Sequence, residues 1–112
     1  MAKKSRFIYD DGRAFDTATE LTWQAKVPDE RFTWKQAQAY AKKLDLNGKG
    51  WRVPSLVELE SIIDTELDLH DDGYWSSTKY YKHESSAWFV AFNGGGSYGY
   101  DTSNTIGVRC VR

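Results

Sequence analysis

The sequence predicts an α+β domain in which two helices are segregated from an antiparallel sheet. Three observations lead to this prediction: short strand patterns come first, two capped amphipathic helices follow, and strand patterns return in the last third of the chain. A chain of 112 residues is long enough for one hydrophobic core and too short for two. We therefore expect a single domain over residues 1–112.

The first part of the chain contains three short strand patterns separated by turn signals. Residues 7–9 and 13–15 flank the Asp11-Gly12 pair, which is typical of a tight hairpin turn. A second turn signal lies at residues 16–19, and residues 21–24 form the third strand pattern. An antiparallel β region is therefore expected at the beginning of the chain.

Two helices are predicted by capping boxes, in which a Ser or Thr and a Gln or Glu three positions later bond to each other's backbone. Thr33 and Gln36 begin the first helix, whose apolar positions recur at helical spacing until a Gly-rich turn stops it. Ser55 and Glu58 begin the second helix, which should end near Asp64. Both helices are expected to bury one apolar face.

The last third of the chain is predicted to consist of strands and one long loop. Strand patterns occupy residues 74–78, 87–92 and 106–111, and the thirteen residues Asn93–Thr105 are all Gly, Ser, Thr, Asn, Asp or Tyr. Antibody-type contact loops have this composition, because Tyr gives contact area at low entropy cost and Ser, Gly and Asn form adaptable hydrogen bonds. A Gly-rich surface loop without a binding role has it too.

Charge and hydropathy disfavour two classes of partner. The formal net charge is −1 and the isoelectric point is about 6.1, so no basic field favours nucleic acid. No window approaches the roughly 20 apolar residues of a membrane-spanning helix, and the first residues lack the apolar stretch of a secretory signal. The single cysteine is typical of a reducing compartment. We expect a cytoplasmic protein, or one that reaches a virion or cell surface by another route.

Six short segments combine into a recognisable pattern. In chain order they are Leu21–Gln24, Thr33–Tyr40, Trp51–Leu59, Tyr74–Thr78, Ala87–Val90 and Val108–Arg112. Together they resemble the Lcl C-terminal domain family, named for the tail of a bacterial collagen-like adhesin, over residues 7–112. The resemblance implies a C-type-lectin-like fold, related to formylglycine-generating-enzyme and sulfatase-modifying domains. In that fold the N- and C-terminal strands pair and two helices flank the sheet.

The resemblance also implies a binding function. Members are mostly modules of secreted, surface or phage proteins, and adhesion to glycans or host surfaces is their best-known role. Similar lectin-like domains serve as variable proteins of diversity-generating retroelements, with hypervariable positions just before a C-terminal strand. Two departures weaken a direct transfer of the adhesin function. Ala41 stands where many relatives have a cysteine that can pair with the terminal strand, which leaves Cys110 alone, and collagen-like repeats are absent.

Residues suited to catalysis are few. Cys110 lies in an apolar strand pattern, where an inert buried thiol is expected, and a formylglycine-type oxidase needs two reactive cysteines. His70 and His83 are 13 residues apart on polar segments, without a third ligand at the spacing of a zinc site. The sequence therefore predicts no enzyme and no catalytic residues.

Calcium is the alternative that the acidic residues leave open. Ca²⁺ takes about 6–8 oxygen ligands, and the sequence has no EF-hand register. Candidate ligands come from an acidic connector and from the late loop: Asp64, Glu66, Asp68, Asp71, Asp72, Asn93, Asp101 and Asn104. A solvated acidic loop is the simpler interpretation. We therefore expect no resident cofactor and keep calcium as the alternative.

The sequence thus predicts a non-enzymatic binding module with one recognition face for a protein or glycan ligand. A phage- or retroelement-type variable receptor protein is the narrower form of this prediction. The alternative is a structural protein that uses the same face for homo-oligomerisation. The predicted contact residues lie in two polar segments: Tyr80, Tyr81, Lys82, His83, Glu84, Asn93, Ser97, Tyr98, Tyr100, Asp101, Ser103 and Asn104. Structural roles are expected for two tryptophans and two arginines: Trp51, Trp75, Arg52 and Arg109.

Overall fold

The computed structural model describes residues 5–67, 73–92 and 96–112, and over these residues the chain forms six strands and two helices. In chain order they are β1 (Phe7–Asp10), β2 (Arg13–Asp16), β3 (Thr22–Gln24), α1 (Trp34–Lys43), α2 (Leu56–Glu60), β4 (Gly73–Lys79), β5 (Ser86–Ala91) and β6 (Gly96–Asp101). The strands form two antiparallel sheets, in the orders β1-β2-β3 and β4-β5-β6. The α+β prediction is confirmed, although the strands divide between two sheets where one was predicted.

The C-terminal segment, residues 106–112, joins the two sheets. Gly107 bridges to Tyr74 of β4, and Val111 bridges to Trp23 of β3. These are isolated bridges, so the strand predicted at 106–111 does not form as a continuous element. The expected pairing of N- and C-terminal strands is found in part: the C-terminal segment bonds to β3 of the N-terminal sheet, whereas β1 pairs with β2.

Both predicted capping boxes are present. In the first, Thr33 Oγ1 accepts from the Gln36 amide at 3.2 Å, and Gln36 Oε1 accepts from the Thr33 amide at 3.0 Å. In the second, Ser55 Oγ accepts from the Glu58 amide at 3.2 Å, and Glu58 Oε1 accepts from the Ser55 amide at 2.8 Å. Each box satisfies two amides that the helix itself leaves without a partner.

The second helix is shorter than predicted. It ends at Glu60, and the amides of Ile62 and Ile63 then bond to carbonyls three residues earlier, as in tight turns. Asp64, where the helix was expected to end, has a φ of 63° and so lies in the left-handed region, outside helical geometry. Within the described residues no helix is long and apolar enough to cross a membrane.

Each helix covers one of two buried clusters. α2 contributes Leu59 to a cluster that contains Trp23, and α1 contributes Ala41 to a cluster that contains Trp51 and Trp75. Trp51 is 4% exposed and Trp75 is fully buried. The predicted core role of these two tryptophans is therefore confirmed.

The two arginines have the structural roles predicted for them. Arg109 is 1% exposed, and its guanidinium donates to the carbonyls of Gln24 at 2.5 Å and Leu67 at 3.3 Å. Arg52 donates two hydrogen bonds, of 2.6 and 2.8 Å, to the Glu58 carboxylate. The guanidinium of Arg52 lowers the pKa of Glu58, which keeps this capping carboxylate ionised.

The late polar segment contains a strand where a loop was predicted. Residues Gly96–Asp101 pair with β5 in an unbroken antiparallel register, from Ser86 opposite Asp101 to Ala91 opposite Gly96. The prediction of a loop over Asn93–Thr105 is therefore wrong for this part of it. The low β-propensity of Gly and Ser is overridden here because the apolar strand β5 supplies a complete pairing partner.

Candidate functional site

Side chains of β6 project alternately to the two sides of the β4–β6 sheet. Tyr98 and Tyr100 lie on one side, opposite Phe89 and Ala87 of β5. The side chains of Ser97 and Asp101 lie on the other side, with Gly99 between them. We call the first side the tyrosine face and define it by Trp75, Phe89, Tyr98 and Tyr100.

The tyrosine face is a layer of exposed rings on a layer of covered ones. The Tyr98 ring centre is 5.7 Å from that of Phe89, and the Tyr100 ring centre is 5.1 Å from Phe89 and 6.1 Å from Trp75. Tyr98 is 55% exposed and Tyr100 is 38% exposed, whereas Trp75 is fully buried and Phe89 is half-buried. These tilted contacts fix the inner sides of the tyrosine rings and leave their outer sides open.

Gly96 allows the Tyr98 ring to lie flat along its own strand. A Cβ atom at Gly96 would be 2.3 Å from the Tyr98 hydroxyl oxygen and 2.6 Å from two of the ring atoms. Real Cβ atoms do not approach other atoms this closely, so only glycine permits this ring position. The ring is therefore held by Phe89 beneath it and by the bare backbone beside it.

The turn between β4 and β5 carries a second aromatic group on the opposite side of the sheet. We call it the turn cluster and define it by Tyr80, Tyr81, His83 and Trp88. The Tyr80 ring centre is 4.7 Å from Trp88, 5.6 Å from Tyr81 and 6.1 Å from His83. A Cβ atom at Gly99 would be 2.4 Å from the Tyr80 ring, so this ring lies over Gly99, away from Tyr98 and Tyr100.

Two members of the turn cluster, Tyr81 and His83, are exposed. Tyr81 is 80% exposed, and Lys82 places its ammonium nitrogen 5.8 Å from the centre of the Tyr81 ring. Tyr80 is half-buried, and His83 and Glu84 are exposed. The turn cluster therefore offers one open tyrosine ring with charged neighbours, in contrast to the paired open tyrosine rings of the tyrosine face.

The polar candidates near β6 are engaged in local hydrogen bonds. Ser97 Oγ donates to Glu60 Oε2 at 2.7 Å. Asp101 Oδ1 accepts from the hydroxyl of Ser103 at 2.7 Å and from its amide at 2.9 Å, and these bonds lower the pKa of Asp101. The Asn104 amide donates to the Asp101 carbonyl at 3.0 Å. Asp101 and Ser103 therefore order the turn that follows β6, whereas Ser97 connects the strand to α2.

The structure thus divides the predicted contact residues into two groups. Residues 80–84 lie at the turn cluster, and Tyr98 and Tyr100 lie on the tyrosine face, on the other side of the same sheet. Ser97, Asp101, Ser103 and Asn104 belong to the edge of the sheet and the turn after it. Asn93 lies outside the described residues.

Two open grooves lie beside α1, and neither is lined by a residue of the tyrosine face or the turn cluster. One, of about 370 Å³, is lined by residues that include Lys42 and Trp51. The other, of about 450 Å³, is lined by residues that include Phe32 and Tyr40. Neither groove contains a predicted contact residue, so the candidate site is a surface formed by β4–β6.

Some of the candidate metal ligands, and the single cysteine, lie within the described residues. Among these residues no group of three or more His, Cys, Asp or Glu side chains could hold a metal ion. Asp68, His70, Asp71 and Asp72 lie outside the described residues. Cys110 is fully buried, and burial raises the pKa of its thiol to about 12, so the thiolate is not formed at neutral pH.

Sequence reasoning missed the residues that support the exposed tyrosines. Phe89 and Trp75 lie beneath the tyrosine face, and Gly96 and Gly99 make room for one ring on each side of the sheet. The alternation of tyrosine with small residues over 97–100 was a signal for a strand with two unlike sides. The composition of the same residues favours a loop, and this is why the sequence predicts one there.

The comparison with known proteins agrees with the resemblance in the sequence. None of the curated proteins compared with the chain matches it significantly. The family model of the Lcl C-terminal domain matches residues 12–112, which include all six of the segments that carry the resemblance. The chain therefore belongs to the Lcl C-terminal domain family.

Proposed function

We propose that this domain is a non-enzymatic ligand-binding module that contacts a protein or glycan ligand through the tyrosine face. The observation that carries the proposal is the exposure of Tyr98 and Tyr100 on fixed supports. Both rings are open on their outer sides while Phe89 holds their inner sides. Rings that are already ordered lose little conformational entropy when a ligand covers them.

The chemistry of the face suits both ligand classes. An aromatic ring can stack on a sugar ring, and tyrosine is also enriched at the centres of protein interfaces, where its hydroxyl can donate or accept a hydrogen bond. The two rings lie against the same Phe89, so they can contact one ligand together. A single exposed tyrosine, such as Tyr81 of the turn cluster, offers less contact area.

Binding is favoured over catalysis by the state of the one cysteine. Cys110 is buried under α1 and the sheet, and burial raises the pKa of its thiol to about 12. A nucleophilic cysteine has its pKa lowered and is partly open to solvent. A binding role needs neither property, and the exposed rings serve it directly.

A narrower form of the proposal is a phage- or retroelement-type variable receptor with a C-type-lectin-like fold. Tyr98 and Tyr100 project from a strand whose backbone is paired to β5, so their side chains can change while that pairing stays. A surface that tolerates substitution on a fixed backbone is what a variable receptor requires. The order of strands, two capped helices and strands supports the lectin-like part of the proposal.

The test is a binding screen followed by matched variants. The domain is screened on a glycan array and as bait in a pull-down, each with calcium and with a chelator. For the ligand found, Tyr98→Ala and Tyr100→Ala should each lower affinity by about tenfold or more, since exposed aromatic anchors dominate such contacts. Tyr81→Ala, which removes a more exposed ring from the other side of the sheet, should change affinity by less than about twofold.

Each other result has a defined meaning. Unchanged affinity in a folded Tyr98→Ala, Tyr100→Ala double variant would contradict the proposal. Loss of affinity in Tyr81→Ala alone would show that the ligand contacts the turn cluster instead of the tyrosine face. Loss of a glycan ligand on chelation would establish calcium dependence. If the double variant lowered the molar mass at high concentration and no ligand were found, the face would serve homo-oligomerisation instead.

A further inference from the structure

Within the described residues, strand β6 forms an edge of the second sheet and has few of the usual protective features. It pairs with β5 on one side, and among residues 5–67, 73–92 and 96–112 no strand pairs with its other side. Natural edge strands are usually protected by Lys, Pro, a bulge or a very short length. β6 has six residues in an unbroken register, without Pro or Lys, and its single charge, Asp101, lies at its end.

The hydrogen bonds of its neighbours fix which groups of β6 point outward. The Thr102 amide donates to the Ser85 carbonyl at 2.8 Å, so the alternate residues Tyr100, Tyr98 and Gly96 also turn their backbone groups toward β5. The backbone groups of Ser97, Gly99 and Asp101 therefore point to the outer edge, where the Asp101 carbonyl already accepts from the Asn104 amide at 3.0 Å. Ser97 and Gly99 form a short row of two donors and two acceptors with strand spacing.

We propose that β6 pairs antiparallel with β6 of a second copy of this chain, about a two-fold axis at Tyr98, to form a continuous six-stranded sheet. In this arrangement Ser97 of each copy lies opposite Gly99 of the other. Each of these two pairs exchanges two N–H···O bonds, because outward-facing residues form the hydrogen-bonded pairs of the new ladder. The four outward groups of Ser97 and Gly99 in each copy are then satisfied.

A second copy of β6 meets the requirements of this edge in both backbone spacing and charge. The incoming strand must present outward groups at the same spacing and no large charge next to the ladder. The single charge of β6 is placed at opposite ends by the two-fold axis. The two Asp101 residues are then about 20 Å apart, six residues of strand, which exceeds the screening length of about 8 Å at physiological salt.

Electrostatics selects the axis at Tyr98 over the neighbouring choice. An axis at Gly99 would also pair the outward groups, but it would place Asp101 of one copy opposite Ser97 of the other. Ser97 already donates to the Glu60 carboxylate at 2.7 Å, so two carboxylates would meet on the same side of the sheet. With the axis at Tyr98, uncharged Gly99 occupies that position instead.

The pairing extends the tyrosine face without depending on its proposed function. An axis perpendicular to the sheet keeps the tyrosine faces of both copies on one side, with Tyr98 opposite Tyr98 and Tyr100 opposite Gly96 of the other copy. A contact of one short strand is at the small end of interface sizes, so the dimer is expected to be weak and to form at high concentration.

Sedimentation equilibrium of the whole chain tests the proposal with matched variants. The concentrations run from about 10 μM to 1 mM, because an interface this small is expected to associate weakly. Ser97→Pro removes an outward amide and leaves the bonds to β5, whereas Ser97→Ala removes the same hydroxyl and keeps the amide. We expect the native chain and Ser97→Ala to dimerise, and Ser97→Pro to bind itself at least about tenfold more weakly. A native chain that stays monomeric, or equal association of both variants, would overturn the proposal.

Cross-linking tests the register and does not require Ser97→Pro to fold. Residues at a non-hydrogen-bonded position have Cα atoms about 4.5 Å apart, within the disulfide range of about 4.4–6.8 Å. Tyr98→Cys should therefore form a disulfide dimer under mild oxidation. In Tyr100→Cys the two cysteines would be about 14 Å apart, so this variant should stay monomeric. Cys110 is buried in both. Equal cross-linking of the two variants, or the reverse pattern, would overturn the proposal.

Discussion

Tyr98 and Tyr80 lie over two glycines of the same strand, on opposite sides of one sheet. A Cβ atom at Gly96 would meet the Tyr98 ring and hydroxyl at 2.3–2.6 Å, and a Cβ atom at Gly99 would meet the Tyr80 ring at 2.4–2.7 Å. The two rings differ in what lies on their other side. Tyr80 contacts Trp88, Tyr81 and His83, whereas Tyr98 has Phe89 beneath it and is 55% exposed.

The comparison shows that the same local device can support the fold or present a contact surface. A glycine in an edge strand makes room for an aromatic ring and is covered by it in turn. Whether that ring stabilises the fold depends on the area that its neighbours bury. By this measure Tyr80 belongs to the structure of the turn, and Tyr98 belongs to the surface.

The largest expected effect comes from removing the buried support of the tyrosine face. Trp75 is fully buried, and its indole donates to the Phe32 carbonyl at 2.8 Å. Trp75→Ala should lower the free energy of unfolding by about 3–5 kcal/mol, measured by urea denaturation. Tyr100→Ala removes a ring from the same stack but should cost only about 1 kcal/mol. Similar losses in both variants would show that the exposed layer is part of the core.

A smaller effect should separate the two glycines. Gly99→Ala forces the Tyr80 ring away from three contacts, which should cost about 1–3 kcal/mol of unfolding free energy. Gly96→Ala displaces the Tyr98 ring toward solvent, where it has room, and should cost less than about 1 kcal/mol. Neither glycine has a φ in the left-handed region, so backbone strain does not enter the comparison.

The two glycine variants should also differ in ligand affinity. Gly96→Ala should weaken binding of a ligand at the tyrosine face, because it moves Tyr98 from its fixed position. Gly99→Ala should leave the affinity of the folded fraction unchanged. Equal stability losses for the two variants, or weaker binding only in Gly99→Ala, would contradict the distinction between Tyr80 and Tyr98.

The sequence predicted what is local and missed what depends on register. Both helix starts follow from capping boxes, which are complete within four residues, at Thr33 and at Ser55. The side on which Tyr80 lies depends on pairings of β5 with both of its neighbours, and no short window contains them. Composition did not distinguish β6 from a loop, because Gly, Ser and Tyr occur both in contact loops and in an edge strand whose glycines are covered by aromatic rings.

The smallest expected effect concerns the carboxylate that ends β6. The hydroxyl and then the amide of Ser103 donate to Asp101 and lower its pKa below the ordinary value of 3.8. The stabilisation from a lowered carboxylate pKa is present above the unfolded value and is lost as pH falls through the folded value. Ser103→Ala removes the larger contribution, so it should raise the pKa of Asp101 toward 3.8.

An NMR titration of the Asp101 carboxyl carbon measures this change. Ser97→Ala is the matched control, because it removes a hydroxyl from the same side of β6 without touching Asp101. The control should leave the Asp101 pKa where it is in the native chain. If Ser103→Ala left it unchanged as well, these hydrogen bonds would not form in solution. Asp101 would then be available as a ligand at the edge of the sheet, and the contrast between an ordered edge and an open tyrosine face would be lost.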